Sequence, residues 1–153
     1  MAINKKLTTA ELIKIFIENS INLKNYESSE RILNNEKHSY ITAKKISSKI
    51  SHAVKILISY EEGITGFATL LNNENIVISA SAAEYLYPLY PQKCLKILKN
   101  YSKSLSNKLD RYKIDCKIEG FEQNQQFFMD SFKKIYNCEN LDSLNRENNI
   151  NAI

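Results

Sequence analysis

Arg111-Tyr112-Lys113-Ile114-Asp115-Cys116-Lys117-Ile118 is the stretch whose reading decides the fold. Tyr112, Ile114, Cys116 and Ile118 alternate with Arg111, Lys113, Asp115 and Lys117, a period of two that predicts a strand with one buried face. Gly120 ends that strand, a polar turn follows, and Phe127, Phe128, Phe132 and Ile135 predict a final helix with an aromatic stripe. On the other side, Pro91 stands where a first-turn proline belongs. Leu95, Leu98, Tyr101, Ser102 and Leu105 then recur at helical spacing, with Lys93, Lys96, Lys99 and Lys103 around them. The second half thus predicts an amphipathic helix packed on a sheet, then a strand and a last helix.

Towards the amino terminus, Thr8 and Glu11 match a reciprocal capping box, and Leu12, Ile15, Phe16 and Asn19 give the face of a first helix. The segment 26–37 is polar, a loop with a short helix around Glu30 to Leu33. Ala43, Ile46, Ile50 and Ala53 predict a second helix over 39–53, basic on its outer side through Lys44, Lys45 and Lys49. Three strands are then expected, at 54–59, 64–71 and 76–81, separated by the turns Glu61-Glu62-Gly63 and Asn72 to Asn75. With 112–118 they make an α/β (α+β) domain, a mixed and mostly antiparallel sheet of at least four strands with helices packed on it. The helix from Pro91 is the crossover that sets the last strand parallel to the third. A single domain over 1–140 is expected, followed by an Asn-rich tail, 141–153, without periodicity.

The chain has 153 residues, with 43% apolar and 25% charged side chains, ordinary for one globular domain and unlike disordered or collagenous sequences. Three Gly and two Pro leave turns to Asn. The formal charge of +4 is a modest basic excess. Cys94, Cys116 and Cys138 are odd in number and far apart, which speaks against a disulfide framework or a zinc site and for a reducing compartment. The apolar run Leu12 to Ile17 is too short for a signal peptide or a membrane span. A cytoplasmic location, or assembly from the cytosol into a particle, is expected.

His38 and His52 are the only histidines, at opposite ends of one predicted helix, too far apart to share a metal. No serine lies in a strained nucleophile elbow, and no glycine fingerprint for a nucleotide occurs. Glu61 and Glu62 fall in a predicted hairpin turn, where carboxylates are solvated. Glu84 stands after the third predicted strand, beside Tyr85, Tyr87 and Tyr90, where a cleft would open. There the tyrosines read as amphipathic rim packing with hydroxyls in water. The lysines of the two basic groups, one on the helix over 39–53 and one after Pro91, come without interleaved arginines, so nucleic acid is not expected as a partner.

The order of elements, with IVISASAAEYLYPLYPQKCLKILKNY (76–101) and YKIDCKIEGFEQNQQFFMDSFKKI (112–135), resembles the GNAT acyltransferase fold, in particular GNAT-like internal virion proteins of short-tailed bacteriophages. That resemblance implies that Asn124, opening the last helix, contacts the cofactor region, with Phe128 or Phe132 as the aromatic beyond it. It also implies pantetheine contacts from the strand at Ile78, Ser79 and Ala80, and a general base, Glu84 or Tyr85, acting through water. Where the family carries a glycine-rich pyrophosphate loop, this chain has Tyr85 to Pro91, with two prolines and three tyrosines. Prolines remove amide donors and rings crowd the approach, so no cofactor is expected, and acetyl-CoA or acyl-CoA only if the chain is catalytic. The resemblance implies a virion assembly or ejection protein contacting other virion or host proteins, with an N-acyltransferase as the alternative. A third expectation, from the residues themselves, is a small adaptor whose basic helix at Ala43 to Ala53 docks an acidic protein.

Overall fold

The structure, a computed structural model, describes residues 6–27 and 37–136. Among the described residues there are seven α-helices, α1 (Thr9–Glu27), α2 (Lys37–Ile58), α3 (Glu61–Ala68), α4 (Ile76–Leu86), α5 (Pro91–Ser104), α6 (Lys108–Gln123) and α7 (Gln125–Tyr136), with a 3-10 turn, Thr69–Asn72, between α3 and α4. The described residues contain no strand. The expected α/β sheet with its GNAT-like order is therefore overturned: the protein is a helical bundle. The short helix around Glu30 to Leu33, Cys138 and the tail 141–153 lie outside the described residues.

Each predicted strand is a helix, and burial shows why. In α6, Ile114, Ile118 and Phe121 are buried while Tyr112 and Cys116 are exposed. Residues two apart in a helix sit about 200° apart, so a helix that is apolar on two opposite sides alternates as a strand does. The segment 54–59 belongs to the end of α2, where Ala53, Val54, Leu57 and Ile58 are buried in the rhythm of a helix. The segment 64–71 is split between α3 and the 3-10 turn. The segment 76–81 opens α4, whose β-branched start, Ile76 to Ile78, is outweighed by burial of Ala80, Ala82, Ala83 and Leu86. The asparagine turns are helix caps. Asn75 Oδ1 accepts from the Val77 amide at 3.0 Å, and Asn107 Oδ1 accepts from Leu109 and Asp110, both at 3.0 Å.

Other expectations stand. The Thr8 amide donates to Glu11 Oε2 at 3.0 Å and the Glu11 amide to Thr8 Oγ1 at 3.1 Å, the reciprocal box that starts α1. Pro91 opens α5 as expected.

The helix α1 packs along α2, and Thr9 at its start shares a hydrogen bond of 2.5 Å with Tyr60 after the end of α2, so the two run antiparallel. Phe16 of α1 meets Phe67 of α3 edge-on at 4.8 Å and Tyr85 of α4 at 6.1 Å, joining three helices at one ring. The helix α4 also packs on α5, α5 on α6, and α6 on α7. The α4–α5 corner is buried throughout: Tyr87 is 1% and Tyr90 2% exposed. The expectation of tyrosines with hydroxyls in water fails at both. Their rings are core, and the apolar area they bury outweighs the cost of the phenol once it is hydrogen-bonded.

Two of the glycines answer to space. A Cβ at Gly63 would collide with the Leu57 carbonyl oxygen and stand 2.8 Å from Tyr60 Cε1, and one at Gly66 would stand 3.0 Å from Thr9 Cγ2. Gly120, inside α6, is different, because a Cβ there meets only Phe128 Cζ, at 4.0 Å. Opposite outcomes follow for one substitution. Gly63→Ala lowers stability by about 1–3 kcal/mol, since the backbone clash exceeds the ~1 kcal/mol that alanine adds to a helix. Gly120→Ala raises it by about 0.5–1 kcal/mol. Urea unfolding of both variants checks the pair, and a Gly63→Ala variant as stable as the parent would refute the packing of α3 on the end of α2.

Candidate functional site

A surface groove of about 430 Å³ lies where α4, α6 and α7 meet. Phe121, buried on α6, stacks on Tyr87 with ring centres 4.4 Å apart and planes 13° apart, and Phe128 of α7 stands edge-on to Phe121 at 4.7 Å. These rings form an aromatic wall. Tyr85 closes the α4 side, Gly120 leaves an open place on α6, and Cys116 lies on the lip. At the rim Lys117 Nζ donates to Glu84 Oε1 at 3.1 Å.

Of the residues expected to carry chemistry, Glu84, Tyr85 and Phe128 do share this groove. The remaining ones lie elsewhere. Ile78, Ser79 and Ala80 are buried within α4, and the amides of Ile78 and Ser79 both donate to the Asn75 carbonyl at 3.1 Å. Helical amides so engaged cannot offer the ladder that pantetheine contacts require, and the cofactor reading loses its strand. Asn124 links α6 to α7, exposed, its amide donating to the Gly120 carbonyl at 3.0 Å and its carbonyl accepting from Phe128 at 3.1 Å. Phe132 is core. Glu61 and Glu62, expected in a hairpin turn, form the acidic first turn of α3. His38 and His52 lie on one helix, about 21 Å apart along its axis. Among the described residues no group of three His, Cys, Asp or Glu side chains could hold a metal.

The perturbed phenols are not poised near neutrality. Burial, then the Glu122 carboxylate and Cys94, push Tyr87 above its ordinary value of 10.0. The Cys116 thiol hydrogen-bonded beside it is the main cause of the rise at Tyr112. Neither change makes a base for work at pH 7. What the groove offers is shape and apolar surface. The mid-helix Gly120 was the sequence signal for it, legible only once 112–118 is read as helix.

The second feature is electrical. The outer face of α2 exposes Lys44, Lys45, Lys49, Lys55 and His52, and the sequence from Lys37 to Tyr60 contains no acidic residue. No described carboxylate lies within ion-pair range of those four lysines. In the other basic group one lysine is charge-paired, Lys99 with Glu122 at 3.0 Å, and Lys93 donates to the neutral Asn72 Oδ1. With its five lysines α2 holds more than the whole formal excess of +4, and the rest of the chain is close to neutral.

No family model, no curated protein and no solved structure matches the chain. Among the described residues no helix is long and apolar enough to cross a membrane.

The Tyr87 hydroxyl donates to the Phe121 carbonyl at 2.9 Å, one of the last carbonyls of α6 and so without an intrahelical partner. Tyr87→Phe therefore costs about 1–3 kcal/mol at neutral pH. The raised phenol also gives a pH dependence. Above pH 10 the unfolded chain releases this proton before the folded one does, so parent stability declines as pH rises from there. In the variant that part of the alkaline decline is absent. Thermal unfolding from pH 7 to pH 11 checks both, and parallel alkaline limbs would contradict the assignment.

Proposed function

We propose that the chain is a small helical adaptor that docks an acidic protein surface through the outer face of α2. One observation carries this reading: four exposed lysines stand together on a helix without acidic residues, with no described carboxylate in ion-pair range. Like charges four apart, such as Lys45 and Lys49, cost a helix about 0.2–0.5 kcal/mol per pair, and a glutamate at either site would remove that cost. A face that keeps such a pair suits a partner of opposite sign. The helix is held rigidly for this, since its inner side, from Ala43 to Ile58, is core.

Acidic protein is favoured over nucleic acid by the side chains present. The face has no arginine to fork onto phosphate or a base edge. Its lysines act as point charges, which match carboxylates spread over a surface. A membrane-surface role is disfavoured because the apolar side of α2 is already buried against α1 and α3. The virion role was implied by a likeness to a sheet fold absent from the described residues, so the α2 face, and not that likeness, supports the present reading.

Polyglutamate is the probe for the charge and duplex DNA the comparison. The parent binds polyglutamate, with affinity falling steeply as salt rises, and Lys45→Glu with Lys49→Glu weakens binding at least about tenfold while the helical circular dichroism is kept. Binding that ignores both salt and the double substitution, or DNA bound more tightly than polyglutamate under the same conditions, would overturn the proposal.

A further inference from the structure

A recess of about 380 Å³, away from the aromatic groove, lies between the second half of α5 and the first half of α6. Lys99, Ser102 and Lys103 line it from α5, Arg111 and Asp115 from α6. Spacing brings them together. Residues three and four apart share a helix face, so 99, 102 and 103 form one wall and 111 and 115 the other, where the two helices pack. The volume is that of a small-molecule site.

The charges in this recess do not satisfy one another. Three cations and one carboxylate line it, and no ion pair forms among the four. Asp115 instead accepts from the hydroxyl of Ser102, which is 5% exposed and makes the floor. Lys99 pairs at 3.0 Å with Glu122, outside the lining, both side chains being about half exposed. A surface pair of that kind is weak, and a better anion displaces it. Lys103 and Arg111 have no described carboxylate in ion-pair range. Arg111 is nevertheless held in place, because its Nη2 donates to the Leu105 carbonyl at 2.6 Å, just beyond the end of α5. That bond uses one of the five guanidinium N–H groups and leaves the others to a ligand.

The lining says what it takes. A doubly charged oxyanion accepts from the Arg111 fork and from Lys103 and Lys99 together, and it relieves the repulsion among cations gathered on one recess. The Asp115 oxygen not bonded to Ser102 repels a bare oxyanion and accepts from a hydroxyl. The fitting ligand therefore carries hydroxyl groups beside its charge.

We propose that the α5–α6 recess binds a small phosphate monoester bearing free hydroxyls, of the polyol or sugar phosphate class. Arg111, Lys103 and Lys99 hold the phosphate and Asp115 takes a hydroxyl. This stands independently of the α2 reading, because α2 contributes no residue to the recess.

Glycerol 3-phosphate is the probe, titrated into the full chain at pH 7.5, where the phosphate is close to doubly charged, and followed by amide chemical shifts. Inorganic phosphate and glycerol are the comparisons. Glycerol 3-phosphate gives saturable shifts confined to 99–103 and 111–115, inorganic phosphate binds at least about fivefold more weakly, and glycerol gives no shifts. Arg111→Gln and Lys103→Gln each raise the Kd at least about tenfold with helical circular dichroism unchanged. Lys103 is exposed and bonds to no described residue, so its substitution leaves the fold intact even if Arg111→Gln disturbs the end of α5. Asp115→Asn closes the gap between glycerol 3-phosphate and inorganic phosphate, and Lys45→Gln on α2 changes neither Kd. No saturation by about 10 mM, shifts as large on α2 as at the recess, inorganic phosphate bound as tightly as glycerol 3-phosphate, or a Lys103→Gln variant that binds like the parent overturns the proposal.

Discussion

A buried hydroxyl on a helix-end carbonyl holds the two halves of this protein together. Tyr87, in the corner between α4 and α5, donates to the Phe121 carbonyl and stacks its ring on the Phe121 side chain, so one residue satisfies a polar group of α6 and packs on its apolar one. Helix-end carbonyls buried without partners are costly, and this bond meets the one at Phe121 in the protein interior. The corner can reach it because Tyr87 to Pro91 are buried as a unit, with the amides of Leu89 and Tyr90 both donating to the Leu86 carbonyl. From that anchor the α6–α7 arm takes its place, and with it the aromatic wall of the groove.

Some of this was legible in the sequence and some was not, for reasons that lie in particular residues. The capping box at Thr8 and Glu11, the amphipathic stripe of α2 and the proline opening α5 each have one physical meaning, and they were read correctly. The segment 112–118 has two. Alternation of apolar and charged residues describes a half-buried strand, and equally a helix with apolar surface on opposite sides. Only the continuation to Phe121, in step with Ile114 and Ile118 at helical spacing, separates them. Asn75 and Asn107 were ambiguous in the same way, because an asparagine oxygen that closes a turn also caps a helix. Of the two turns the meander needed only Glu61-Glu62-Gly63 has a glycine, and the glycine-free Asn72 to Asn75 was the overlooked argument against it.

The same features decide the sites. Glu84, Tyr85 and Phe128 were singled out as chemistry on a sheet edge, and they do converge, but on an apolar groove whose carboxylate is engaged by Lys117. Ile78 to Ala80 were assigned by analogy with a strand, and as helix their backbone groups are spent internally. The basic helix was visible from composition, whereas the gathering of its lysines on one exposed face, clear of described carboxylates, exists only in three dimensions.

Everything rests on α6 being helical through the alternating segment, since a strand there would bury Tyr112 and Cys116 with Ile114 and Ile118 and erase both the groove and the arm. Backbone chemical shifts for 112–118 measure this directly. The account predicts downfield Cα shifts with strong sequential amide–amide contacts across all seven residues. Upfield Cα shifts with strong cross-strand Hα contacts would contradict it.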